Sequence, residues 1–112
     1  MEISERNDGK VTVLNLSGKI TLGEGDMLLK DKLHSLLNQG RKDVLLNLAQ
    51  VSYVDSAGLG AIVGAYTTMT REGGSLKLVN VTKKLQDLLS ITKLLTVFET
   101  FDSEGEALRS YK

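Results

Sequence analysis

Val51-Ser-Tyr-Val-Asp55-Ser56-Ala57-Gly58-Leu59-Gly60 is the stretch on which the reading of this chain turns. An apolar run stops at an acid and a hydroxyl, then resumes as small residues and glycine at helical spacing. The pattern is a strand running into a helix, with Asp55 and Ser56 at the junction. A side-chain oxygen there satisfies one of the backbone N–H groups that a helix leaves unpaired at its start, worth roughly 1 kcal/mol. Capping is therefore the simplest role for the pair, and one of the two can cap while the other stays exposed.

Working outward, Val44-Leu45-Leu46-Asn47-Leu48 is a continuous apolar run, as a strand covered on both faces would be. The helix after Asp55 runs to about Arg71 and stops at Gly73-Gly74, and Leu76-Lys-Leu-Val79 is the next strand. Near the start, Lys10-Val-Thr-Val-Leu-Asn-Leu-Ser alternates as a strand with Val11, Val13 and Leu16 inward, ended by Gly18. The turn signal Asn7-Asp8-Gly9 makes Glu2–Arg6 a short hairpin partner. Thr21-Leu-Gly-Glu24 has the spacing of a capping box. The helix it opens carries a stripe of Leu29, Leu33, Leu36 and Leu37 and stops at Gly40. Thr82 caps a helix through Leu89, Val97-Phe98 forms a short strand, and Ser103-Glu-Gly-Glu106 opens a last helix. This alternation predicts an α/β domain: a mixed, mostly parallel sheet of four to five strands, right-handed crossovers and about four helices packed on it.

The 112 residues form one domain, 1–112, long enough to bury a core without staples. There is no cysteine, hence no disulfide framework and no thiolate metal site. Fourteen Lys and Arg balance fourteen Asp and Glu, scattered among few aromatics, which argues against nucleic-acid binding. The polar, mixed-charge start Met1-Glu-Ile-Ser-Glu-Arg does not read as a signal peptide, and no apolar run approaches the ~20 residues of a membrane span. The expectation is a soluble, cytoplasmic protein.

Two catalytic readings of the junction fail on its residues. Val54, not glycine, stands two positions before Ser56, so the G-x-S-x-G elbow is not supplied. The one histidine, His34, lies inside the first helix pattern. Gly58, Gly60 and Gly64 follow a strand into a helix, but the spacing is not that of the dinucleotide fingerprint. The next strand ends at Asn80, without the acid that would hold a ribose. No enzyme, cofactor or metal is expected. Gly60 and Gly64 instead join Ala57, Ala61 and Thr68 in a small-residue stripe, for close packing on the sheet or close docking of a partner. Interior glycines each cost roughly 1 kcal/mol against alanine, so one of these demands offsets them.

Val51–Gly60 resembles the D-S-[ST/A]-G-L-G signature of STAS-domain anti-sigma-factor antagonists. Leu16-Ser-Gly-Lys-Ile20 is similar to the family's L-x-G-x-[IL] strand end, Val44–Leu48 to its central strand and Gly74–Asn80 to its following strand. Leu89–Leu94 with Val97-Phe98 is similar to the segment before its last helix. The resemblance implies a protein that, unmodified, binds an anti-sigma factor which is also an ATP-dependent serine kinase, freeing the sigma factor. The kinase phosphorylates the serine matching Ser56 and the complex dissociates; a PP2C-type phosphatase restores it. The nucleotide belongs to the kinase. The partner surface implied is Asp55, Ser56, Ala57, Gly58, Leu59 and Gly60, with Thr21. Antagonists often carry acids where this chain has Thr21 and Asn47. The family also includes STAS subunits that dock to transport or lipid-trafficking ATPase or permease complexes, the alternative reading.

Overall fold

The computed structural model describes residues 1–111. Five strands and four helices follow in the order β1 (Glu2–Asp8), β2 (Val11–Ile20), α1 (Gly25–Asn38), β3 (Asp43–Val54), α2 (Ser56–Arg71), β4 (Ser75–Val79), α3 (Lys83–Ile91), β5 (Thr100–Phe101) and α4 (Glu104–Arg109). They make one sheet in the order β1-β2-β3-β4-β5. β1 is antiparallel to β2 and the other neighbours are parallel. The expected α/β class and mixed sheet are those observed.

Because strand order follows chain order, successive right-handed crossovers place α1, α2 and α3 on the same face of the sheet. The main core lies there. It joins Leu14, Leu16 and Ile20 of β2, Leu46 and Leu48 of β3, and Leu76 and Leu78 of β4 to Leu29, Leu33 and Leu36 of α1, Ile62 and Met69 of α2, and Leu85 and Leu89 of α3. α4 covers the opposite face, where Val11, Val13, Leu45 and Val79 meet Ala107 and Tyr111. Tyr111 donates its hydroxyl hydrogen to the Val44 carbonyl, and burial pushes its phenol well above the usual value. Lys77 packs over the Tyr111 ring at 4.5 Å and donates to the Ser110 carbonyl at 3.1 Å.

Local signals explain most boundaries. Thr82 Oγ1 accepts the Leu85 N–H at the start of α3, and Ser103 Oγ accepts that of Glu106 at the start of α4. Gly40, at φ +78°, ends α1 in a Schellman turn: its N–H donates to the Leu37 carbonyl and that of Arg41 to the Leu36 carbonyl.

Four expectations are corrected. Gly18 does not end β2; it lies at a register shift within a strand that runs on to Ile20. Leu16 faces the main core while Val11 and Val13 face α4, because one-residue alternation puts odd and even positions on opposite faces. Thr21-Leu-Gly-Glu24 is not a capping box. α1 starts one turn later, at Gly25, with no cap from the Glu24 side chain. Asp26 Oδ1 instead accepts the N–H groups of Gly23 and Met27. Finally, Val97-Phe98 is not a strand: Phe98 is a core plug against Tyr66, and the edge strand is Thr100–Phe101, hydrogen-bonded to β4.

Candidate functional site

β3 is the longest strand and outruns β4, so its carboxyl end delivers Asp55 to the rim of the sheet. There the chain turns into α2. Asp55 is the N-cap in extended conformation, and its Oδ1 accepts the Gly58 N–H at 2.8 Å. Its Oδ2 accepts the Leu22 N–H at 3.0 Å. The Asp55 N–H donates to the Ile20 carbonyl at 3.3 Å. One carboxylate thus ties the first turn of α2 to the β2–α1 connection, and this brings Thr21 beside the Asp55–Ser56 junction although it lies far away in sequence.

The bond from Gly58, and then that from Leu22, hold the Asp55 carboxyl below its usual value of 3.8, against a smaller opposing effect of burial. A carboxyl whose pKa falls on folding contributes stability above its unfolded pKa and loses it as pH falls through the folded one. Asp55→Ala should therefore melt below wild type at neutral pH. The difference should close on acidification below pH 3.8, which thermal melts across that range would check.

Ser56 is the first residue of α2 and is exposed, at the positive end of a 16-residue helix. The remaining residues of the motif divide. Gly58 and Leu59 turn inward: Leu59 is 8% exposed and joins the main core, while a Cβ on Gly58 would stand 1.9 Å from the Ile20 carbonyl oxygen. Of the residues expected on a partner surface, Ser56 and Gly60 are exposed and Asp55, Ala57 and Thr21 are half-buried.

The glycines of α2 differ in the same way. Gly58 is demanded by packing, whereas a Cβ at Gly60 or Gly64 would meet nothing within 4 Å. Those two positions carry the helix cost of glycine with no compensating contact inside the domain. Gly60→Ala and Gly64→Ala should each stabilise it by about 1 kcal/mol, a rise of about 5 °C in melting temperature. A calorimetric loss of stability instead would show that the backbone is strained there.

The sequence reading missed three exposed apolar residues on β3, the β2–α1 connection and α1. Leu22 is 76% exposed, Met27 57% and Tyr53 52%. Leu22 lies on the loop that Asp55 holds, Met27 in the first turn of α1, and Tyr53 two residues ahead of Asp55. The signal was present in part: Met27 falls outside the buried stripe Leu29-Leu33-Leu36. Contiguous exposed apolar side chains mark interaction surfaces, and Leu22 is tied to the junction by its N–H bond to Asp55.

The sequence model of the STAS domain matches residues 2–107. The chain belongs to the STAS domain family. Among STAS relatives, the anti-sigma-B factor antagonist of Bacillus subtilis (strain 168) is 37% identical over 102 residues, spanning 90% of this chain and 91% of that protein. The crystal structure of TM1081 from Thermotoga maritima superposes with a TM-score of 0.85 at 26% identity, covering 97% of this chain and 93% of that one. The Bacillus cell fate determinant SpoIIAA in its phosphorylated form shares the STAS fold at a TM-score of 0.79 and 18% identity, covering 99% of this chain and 100% of its own.

One departure from the family pattern has a local explanation. Asn47, where antagonists often carry an acid, donates its Nδ2 to Asn15 Oδ1 at 2.8 Å and accepts from Asn80 Nδ2 at 3.2 Å. This carboxamide ladder ties β2, β3 and the end of β4, and a carboxylate at 47 could not donate to Asn15. No helix among the described residues is long and apolar enough to cross a membrane.

Proposed function

We propose that this chain is an anti-sigma factor antagonist that acts by reversible binding, with Ser56 as the residue a serine kinase modifies. The observation that carries the reading is the geometry at the head of α2. An exposed serine hydroxyl stands at a helix N-terminus that the Asp55 carboxylate fixes through Gly58, and the same carboxylate holds the loop carrying exposed Leu22. The 37% identity to an anti-sigma-B factor antagonist over most of both chains supports it.

In the unmodified state exposed Leu22 and the open backbone at Gly60 receive the anti-sigma factor, releasing its sigma factor. Phosphate on Ser56 adds about −1.5 to −2 charge. The helix N-terminus accommodates an anion, so the domain stays folded while the interface acquires like charge beside Asp55. Binding is lost through local repulsion and bulk, with no large rearrangement. A PP2C-type phosphatase resets the switch, and the chain itself needs no nucleotide, metal or turnover.

Incubation of the chain with its cognate anti-sigma kinase and ATP, followed by peptide mass spectrometry, is expected to place a single phosphate on Ser56. Phosphate on another residue would overturn the assignment. Gly60→Ala gives a second readout: a more stable domain that binds the kinase less well would show that the glycine serves docking, and unchanged binding would remove Gly60 from the interface.

A further inference from the structure

β3 runs to Val54, but its pairing with β4 stops at Asn47↔Val79. β4 leaves the sheet at Asn80, which turns with φ +57°. The lattice position beside Leu48–Val54 is thus vacated on the β4 side, over roughly 20 Å of strand. Past the last pair, the Ala49 N–H is taken by Asn47 Oδ1 at 3.1 Å. Among the described residues, no backbone group on that side bonds to Gln50–Val54.

The vacated position is a groove of about 270 Å³. One wall is the four consecutive residues Val51–Val54, and the other is the N-cap and first two turns of α3, with Thr82, Lys84, Leu85 and Leu88. It has both elements of strand addition: an unpaired edge for main-chain hydrogen bonds and an apolar wall for alternate side chains. Its charge is one-sided. α3 opens with Lys83 and Lys84 and has no acid in its first turn, although cations are disfavoured at that end of a helix. Lys83 pairs with Asp87 at 3.2 Å, whereas Lys84, which lines the groove, has no ion pair among the described residues.

We propose that this groove receives an extended, acidic segment of the protein that docks on Ser56, added as a strand along the free edge of β3. The edge leads within two residues to Ser56, so one partner spans both. Naming the partner rests on the function proposed above; the groove's preference for an acidic strand does not.

The test therefore uses a peptide and no kinase. A short, end-blocked peptide of alternating valine and glutamate is titrated into the isotope-labelled chain and followed by NMR. Its controls are the valine–lysine analogue and a version N-methylated on alternate amides. The expected result is amide shifts confined to Gln50–Val54 and Thr82–Leu88, with affinity at least about tenfold above either control. Lys84→Glu should remove that preference. Equal binding of the three peptides, shifts located elsewhere, or no shift at millimolar peptide would overturn the proposal while leaving the Ser56 switch standing. Failure of kinase phosphorylation at Ser56, with the peptide result intact, would overturn the switch alone.

Discussion

Ser56→Asp is expected to weaken binding of the anti-sigma kinase by about 100-fold or more, while Ser56→Ala binds like the unmodified protein and is not released by ATP. The magnitude follows from charge. Like charges near 4 Å repel by about 4 kcal/mol at a surface-like effective dielectric, and each 1.4 kcal/mol is about tenfold in affinity. Aspartate brings less charge than phosphate, so partial relief at an exposed rim is allowed for in the estimate. Titration calorimetry of both variants against the kinase, with and without ATP, measures it. Equal affinities for the two would sink the electrostatic switch. Both variants should melt close to wild type, because Asp55 rather than Ser56 supplies the cap of α2.

Gly58→Ala is expected to be the most damaging small substitution in the chain, at about 3 kcal/mol or more. The new methyl would stand 1.9 Å from the Ile20 carbonyl oxygen and 2.7 Å from its carbon. Both atoms are backbone, and the Ile20 oxygen accepts the Asp55 N–H, so the clash is relieved only by pulling β2 away from the head of α2. That movement would also strain the Asp55–Leu22 bond that positions the loop beside Ser56. Denaturant unfolding should show the loss, and kinase binding at low temperature, where the variant is still folded, should fall as well. Wild-type stability for Gly58→Ala would mean that the approach of α2 to β2 is looser than described.

The contrast among Gly58, Gly60 and Gly64 shows where sequence reading runs out. Gly60 and Gly64 fall on the small-residue stripe with Ala57, Ala61 and Thr68 and Gly58 lies off it, yet the stripe is open at both glycines and it is Gly58 that touches Ile20. The same limit applies to Thr21. Its spacing to Glu24 obeys the capping-box pattern, yet α1 starts later because Asp26 closes the turn instead. Val97-Phe98 looked like a strand because two adjacent apolar residues suit a strand and a buried plug equally well, and its contact with Tyr66 lies far away in sequence.

By itself the sequence determined the order and type of nearly all elements, the caps at Asp55, Thr82 and Ser103, and the placing of Ser56 at a strand-to-helix junction. These rest on period, apolar runs and side-chain-to-backbone bonds spanning three residues, which are local quantities. The tertiary structure alone decided that three helices share one face of the sheet and α4 the other, and that Gly58 and Leu59 point inward. It also decided that Leu22 is held beside Ser56 and that β3 outruns β4 to leave an open edge. Each of these is set by contacts between segments distant in the chain, where strand register, closeness of packing and the reach of one carboxylate fix the outcome.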